Sequence, residues 1–218
     1  IADLPMGSAE RETLITAANT LFMDAKSGLD RIIELWETMA DGDEKDSLRF
    51  SAYFPAKYFK AQLFYFWAAA FAPATLERLE RADKALELFE DFALLAGDSS
   101  RPGFMAYKQM ADTFILRAEA EIARDNIKDA KSTFEEAEAF YLHVIENAIP
   151  EGSQLAESEI DDRRQVQQDA YLGLMNLHPK WGAVTNPATH AAAAAALGES
   201  FRQWVDDESV LLAPSGYR

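Results

Sequence analysis

Ala130, Phe134 and Ala137 are separated by four and then three residues, and the same offsets recur at Ala85, Phe89 and Phe92, at Leu29, Ile33 and Trp36, and at Leu197, Phe201 and Trp204. Offsets of four and three place each set on one face of an α-helix. A small residue there lets a neighbouring helix approach, and a large one fills the gap beside it. Ala, Leu, Glu, Lys and Arg dominate these stretches, which favours helix over strand, and no run of β-branched residues alternates in the manner of a strand. The predicted fold is therefore all-α, built of antiparallel helical hairpins.

Punctuation divides the chain into about eight helices. Ser8 is suited to cap a first helix running to about Phe22 or beyond, which Gly28 divides from, or bends into, a second ending near Ala40. After the acidic loop 41–46 comes an aromatic helix, with Pro55 tolerable only in a first turn. Pro73 and Thr75 open the next helix and Gly97 closes it. Another starts after Arg101-Pro102-Gly103 and ends at Asp125-Asn126, followed by one from Ile127 to about Ala148. A helix from Glu157 to His178 is expected to stop at Pro179, and one from Ala188 to Val205 comes last. Short turns imply that 75–97 packs on 104–124, and 104–124 on 127–148. We expect one helical domain over 1–206 and a tail over 207–218.

The stretch from Ala118, Ala120 and Ile122 across Asp125-Asn126 to Ile127, Ala130, Phe134 and Ala137 resembles the middle of a tetratricopeptide repeat. It departs from that pattern at Arg117, where a large apolar residue is usual, and in lacking the customary proline. The repeat length of about 34 residues is not kept along the chain. The resemblance covers one repeat and implies a right-handed solenoid of stacked hairpins with a concave binding face.

The 218 residues carry a formal charge of −16, which argues against nucleic acid as a partner because a phosphate backbone calls for a basic footprint. Charge is unevenly spread. From Ser47 to Thr75 there is no acidic residue, while Arg49, Lys57 and Lys60 sit among Phe50, Tyr53, Phe54, Tyr58, Phe59, Phe64, Tyr65, Phe66, Trp67 and Phe71. This stretch reads either as a central helix whose lysines snorkel to water or as a groove lined by amphipathic rings. No segment reaches the ~20 apolar residues of a membrane span, so the chain is expected not to span a membrane. The start at Ile1 fits a removed leader or a trimmed protein equally, leaving periplasmic or secreted and cytoplasmic locations open.

No catalytic set emerges. His143, His178 and His190 are distant in sequence and none sits in a zinc pattern; His143 reads as a packed or surface side chain and His178 as a helix-end cation. Cysteine is absent, which removes thiolate chemistry. The loop 41–46 fails the calcium template, with Lys45 at a ligand position and Ala52 where glutamate belongs. We expect no metal and no cofactor. The leading expectation is a noncatalytic module binding a protein or peptide through Lys57, Tyr58, Lys60, Tyr65, Trp67 and Tyr107, with Trp181 as a loop residue that either contacts the ligand or plugs the end of the stack. The alternative is a small-molecule-binding protein, exported or periplasmic, with an aromatic-lined pocket. A homodimer covering the aromatic stripe is weighed equally with a monomer.

Overall fold

A computed structural model describes residues 8–149 and 154–207; most of the expected tail lies outside them. All regular structure among the described residues is helical: α1 Ala9–Thr38, α2 Asp43–Leu48, α3 Phe54–Ala70, α4 Leu76–Ala96, α5 Arg101–Ala123, α6 Ile127–Asn147, α7 Glu157–Val184 and α8 Pro187–Asp207. One π-helical turn, Arg49–Tyr53, joins α2 to α3. Proline has no N–H and clashes with the carbonyl four residues back, and the wider turn just before Pro55 absorbs that misfit.

Local chemistry sets most boundaries. Thr75 caps α4 by accepting from the Arg78 N–H, and Ser100 caps α5 by accepting from the Gly103 N–H at 3.0 Å. Arg101-Pro102-Gly103 is thus the first turn of α5, where proline is tolerated, and not a preceding loop. Gly97, at φ +93°, ends α4 in a conformation that a side chain would resist.

Of the two readings at Gly28, the undivided one holds: α1 is continuous over 30 residues, because Phe22, Leu29, Ile33 and Trp36 all lie on the side packed against the core. Pro179 does not stop α7, which continues to Val184. The bond lost at the proline is outweighed by packing beyond it. Trp181 stacks on Phe134 at 6.1 Å and meets His190 at 4.6 Å, and Gly182 lets α8 come so close that a Cβ there would stand 3.0 Å from that of His190.

Each helix from α3 to α8 packs on its chain neighbour, including the two expected hairpins, α4 with α5 and α5 with α6. The odd helices also touch one another in the order α1, α3, α5, α7. The four-three sets lie at the seams between helices: Ala130, Phe134, Ala137, Ala85 and Phe89 are fully buried, and Phe92 nearly so. Burying one such ring stabilises by about 2–3 kcal/mol before entropy is charged.

Candidate functional site

α3 lies inside the row of odd helices and so has neighbours on several sides. Toward α1 it presents Trp67, which is 4% exposed. Its indole N–H donates to Asn19 at 2.6 Å, its ring stacks on Phe22 at 5.5 Å, and the Arg81 guanidinium lies 4.1 Å from the ring centre. Trp67 is a core residue, and the expectation that it contacts a ligand is corrected. The two lysines are engaged along the same seam. Lys60 pairs with Asp30 at 2.6 Å, a carboxylate also held by Lys26 at 2.6 Å, and Lys57 pairs with Glu37 at 3.2 Å over the Tyr53 ring. Burial alone would lower the Lys57 ammonium, but Glu37 and Tyr53 outweigh it and raise it above its ordinary value. Both lysines, expected as binding contacts, are thus engaged in ion pairs within the fold.

The solvent side of α3 differs. Phe59 and Phe66, one double turn apart, are 54% and 56% exposed and flank Gln62 on one face. Beside that face, Tyr58 packs on α4, edge-on to Phe89 at 5.9 Å. Tyr58 lines an open groove of about 210 Å³ together with Arg101, Met105, Lys108 and Gln109 of α5 and Asp162, Gln165, Val166 and Asp169 of α7. Three consecutive odd helices contribute to it.

Its polar groups are unevenly matched. Arg101 pairs with Asp162 at 3.5 Å, and Lys108 with Asp112 at 2.7 Å. The second Asp112 oxygen accepts from the buried Tyr141 hydroxyl at 2.5 Å. Tyr141 reaches that carboxylate because Gly173 gives it room: a Cβ on Gly173 would stand 2.4 Å from the tyrosine ring. Asp169, half-buried between them, has neither hydrogen bond nor ion pair among the described residues. Burial raises its carboxyl above the ordinary value; Lys108 opposes this and Asp112 adds to it. The Tyr58 oxygen accepts from Gln62 at 3.3 Å, while its own hydrogen has no acceptor among the described residues. Burial, with the charge of Asp112, pushes that phenol up to about 12, so it stays protonated at neutral pH.

The other expected contacts are dispersed. Tyr65 is half-buried on the α5 side, near the charges of Asp112 and Glu119, which with burial push it up to about 12. Tyr107 donates to Asp98 at 2.7 Å and stacks on Phe140 at 5.8 Å. It belongs to a separate apolar hollow of about 290 Å³ with Ala139 and His143. Trp181 is not on a loop; it sits within α7, wedged between Phe134 and His190.

Sequence reasoning missed one juxtaposition. His178 and His190 face each other across the α7–α8 turn with their Nδ1 atoms 3.2 Å apart, and His178 is 3% exposed. It is an interior imidazole, not a helix-end cation, and burial, together with His190, lowers its proton affinity. Glu138 of α6 stands 3.9 Å from its other nitrogen. Among the described residues no group of three or more His, Asp or Glu side chains is placed to hold a metal ion, and no helix is long and apolar enough to cross a membrane. Comparisons with family models, curated proteins and solved structures give no match to this chain.

Proposed function

We propose that this chain is a noncatalytic binding module whose odd helices, stacked as in a right-handed tetratricopeptide-like solenoid, present their outer face to a segment of another protein. One observation carries the reading: α3 exposes Phe59 and Phe66 beside a groove that three helices build and in which Asp169 has no partner among the described residues. Exposed rings next to an open cleft supply contact area at low entropic cost, as in the anchoring centres of interfaces. The small-molecule alternative has less support. The groove is smaller than the roughly 300 Å³ at which drug-sized pockets begin, and the inward rings of α3 pack on their neighbours.

The test is a capture experiment with the folded chain as bait, beside a Phe59→Ser, Phe66→Ser double variant. Both sites are exposed, so the variant is expected to keep its circular dichroism spectrum and melting temperature. A protein retained by the wild type and released by the variant supports the module. A partner retained equally by both refutes this choice of surface, and purification with the α3 face covered by a second copy would make it a dimer interface instead.

A further inference from the structure

The groove has one charge too many on the acidic side. Of the five charged side chains in or beside it, the cation of Arg101 answers Asp162 and that of Lys108 answers Asp112, whose other oxygen is already taken by Tyr141. Asp169 is left over. A half-buried carboxylate without a hydrogen-bond donor costs free energy that a protein could save by carrying an amide or an alkyl group instead. The donor it lacks has room to arrive from outside, because the groove is open and holds about 210 Å³, space for one long side chain.

We infer that the groove receives a single basic side chain, a lysine ammonium or an arginine guanidinium, from a protein segment whose apolar residues rest on Phe59 and Phe66. This deepens the binding reading above and rests on it. The chemistry of the lining fits that occupant. Asp169 supplies the counter-charge, and the side-chain carbonyls of Gln109 and Gln165 can accept the remaining N–H groups. Met105 and Val166 give the methylene stem an apolar bed. An anionic group would meet an uncompensated carboxylate in a chain of net charge −16, whereas a basic segment would be drawn toward it by the long-range field.

Three fluorescein-labelled peptides test this by fluorescence anisotropy at physiological salt. They share their leucines and carry lysine, norleucine or glutamate at the intervening positions. The lysine peptide is expected to bind, the norleucine peptide more weakly and the glutamate peptide not at all. Asp169→Asn is nearly isosteric and is expected to weaken the lysine peptide by about tenfold, the scale of one charge-assisted hydrogen bond. Glu157→Gln, which removes an exposed charge at the start of α7, controls for general attraction and is expected to change affinity less than about twofold. Equal losses in these two variants, an unchanged affinity in Asp169→Asn, or no binding of the lysine peptide to the wild type would overturn the inference. Phe59→Ser, Phe66→Ser separates the two proposals. Loss of binding there without loss in Asp169→Asn keeps the surface and removes the basic side chain from the groove; no loss in either removes both.

Discussion

The two flanks of α3 handle charge in opposite ways. Along the α1 seam, Lys60 has Asp30, Lys57 has Glu37 and Trp67 has Asn19, each within 3.2 Å. In the groove toward α7, Asp169 stands half-buried with no partner among the described residues. The same helix thus seals one side and leaves the other chemically unfinished. The contrast separates polar groups that serve the fold from polar groups held in place at a cost, and the latter are where binding is to be sought.

The largest test of that contrast sets two neighbouring aromatic residues against each other. Trp67→Ala removes a buried ring with its hydrogen bond to Asn19 and its stacking on Phe22. It is expected to cost about 3–5 kcal/mol. Phe66→Ala, one residue earlier but on the exposed face, is expected to stay within about 0.5 kcal/mol. Urea denaturation followed by circular dichroism measures both. Similar losses for the two would mean that the face carrying Phe66 is packed, and the groove would lose its apolar border.

How much of this was legible in the sequence follows from how local each signal is. The four-three spacings found the core correctly because helical periodicity is a property of near neighbours: Ala130, Phe134 and Ala137 all vanish from solvent. Thr75, Gly97 and Asp125-Asn126 marked real boundaries for the same reason. Pro179 misled because its penalty is local while the packing of Trp181 and Gly182 that overcomes it is not. Lys57 and Lys60 stand among the expected contacts because their carboxylates lie on α1, and Trp67 does because nothing in an aromatic run says which ring faces Asn19. Asp169 drew no notice at all. A missing partner is a fact about three helices at once, and no short stretch of sequence records it.

A smaller effect is expected at the α7–α8 junction, a third treatment of charge in which two imidazoles share an interior. Burial, aided by His190, keeps His178 harder to protonate than an ordinary histidine of 6.5. The unfolded chain therefore binds a proton before the folded one does, so stability falls as pH drops through about 6.5 and levels off below the lowered folded value. Glu138 runs the other way, since burial raises its carboxyl, with His190 opposing and Glu135 adding, and its effect sets in at that raised value and is complete by about 4.5. His178→Gln is expected to flatten the melting-temperature profile between about pH 5 and 8. An unchanged slope in that variant would place the dependence elsewhere.

The finest test compares the two aspartates directly. Burial alone would raise the Asp30 carboxyl, but hydrogen bonds from Lys26 and Lys60, with their charges, hold it below its ordinary 3.8. Its contribution is present above 3.8 and is lost as pH falls through the lower folded value. Asp169 has the opposite shift. Its folded form takes up a proton first, so its cost is absent well below 3.8, sets in as pH rises to the raised folded value and persists at neutrality. Asp30→Asn is therefore expected to destabilise at pH 7 by less than about 1 kcal/mol, as suits a partly exposed pair. Asp169→Asn is expected to stabilise slightly at neutral pH, with the gain fading as pH falls from the raised folded value to 3.8. Melting curves of both variants across that range measure the signs. A loss of stability in Asp169→Asn at neutral pH would mean that its carboxylate serves the fold as Asp30 does, and the asymmetry between the two flanks of α3 would disappear.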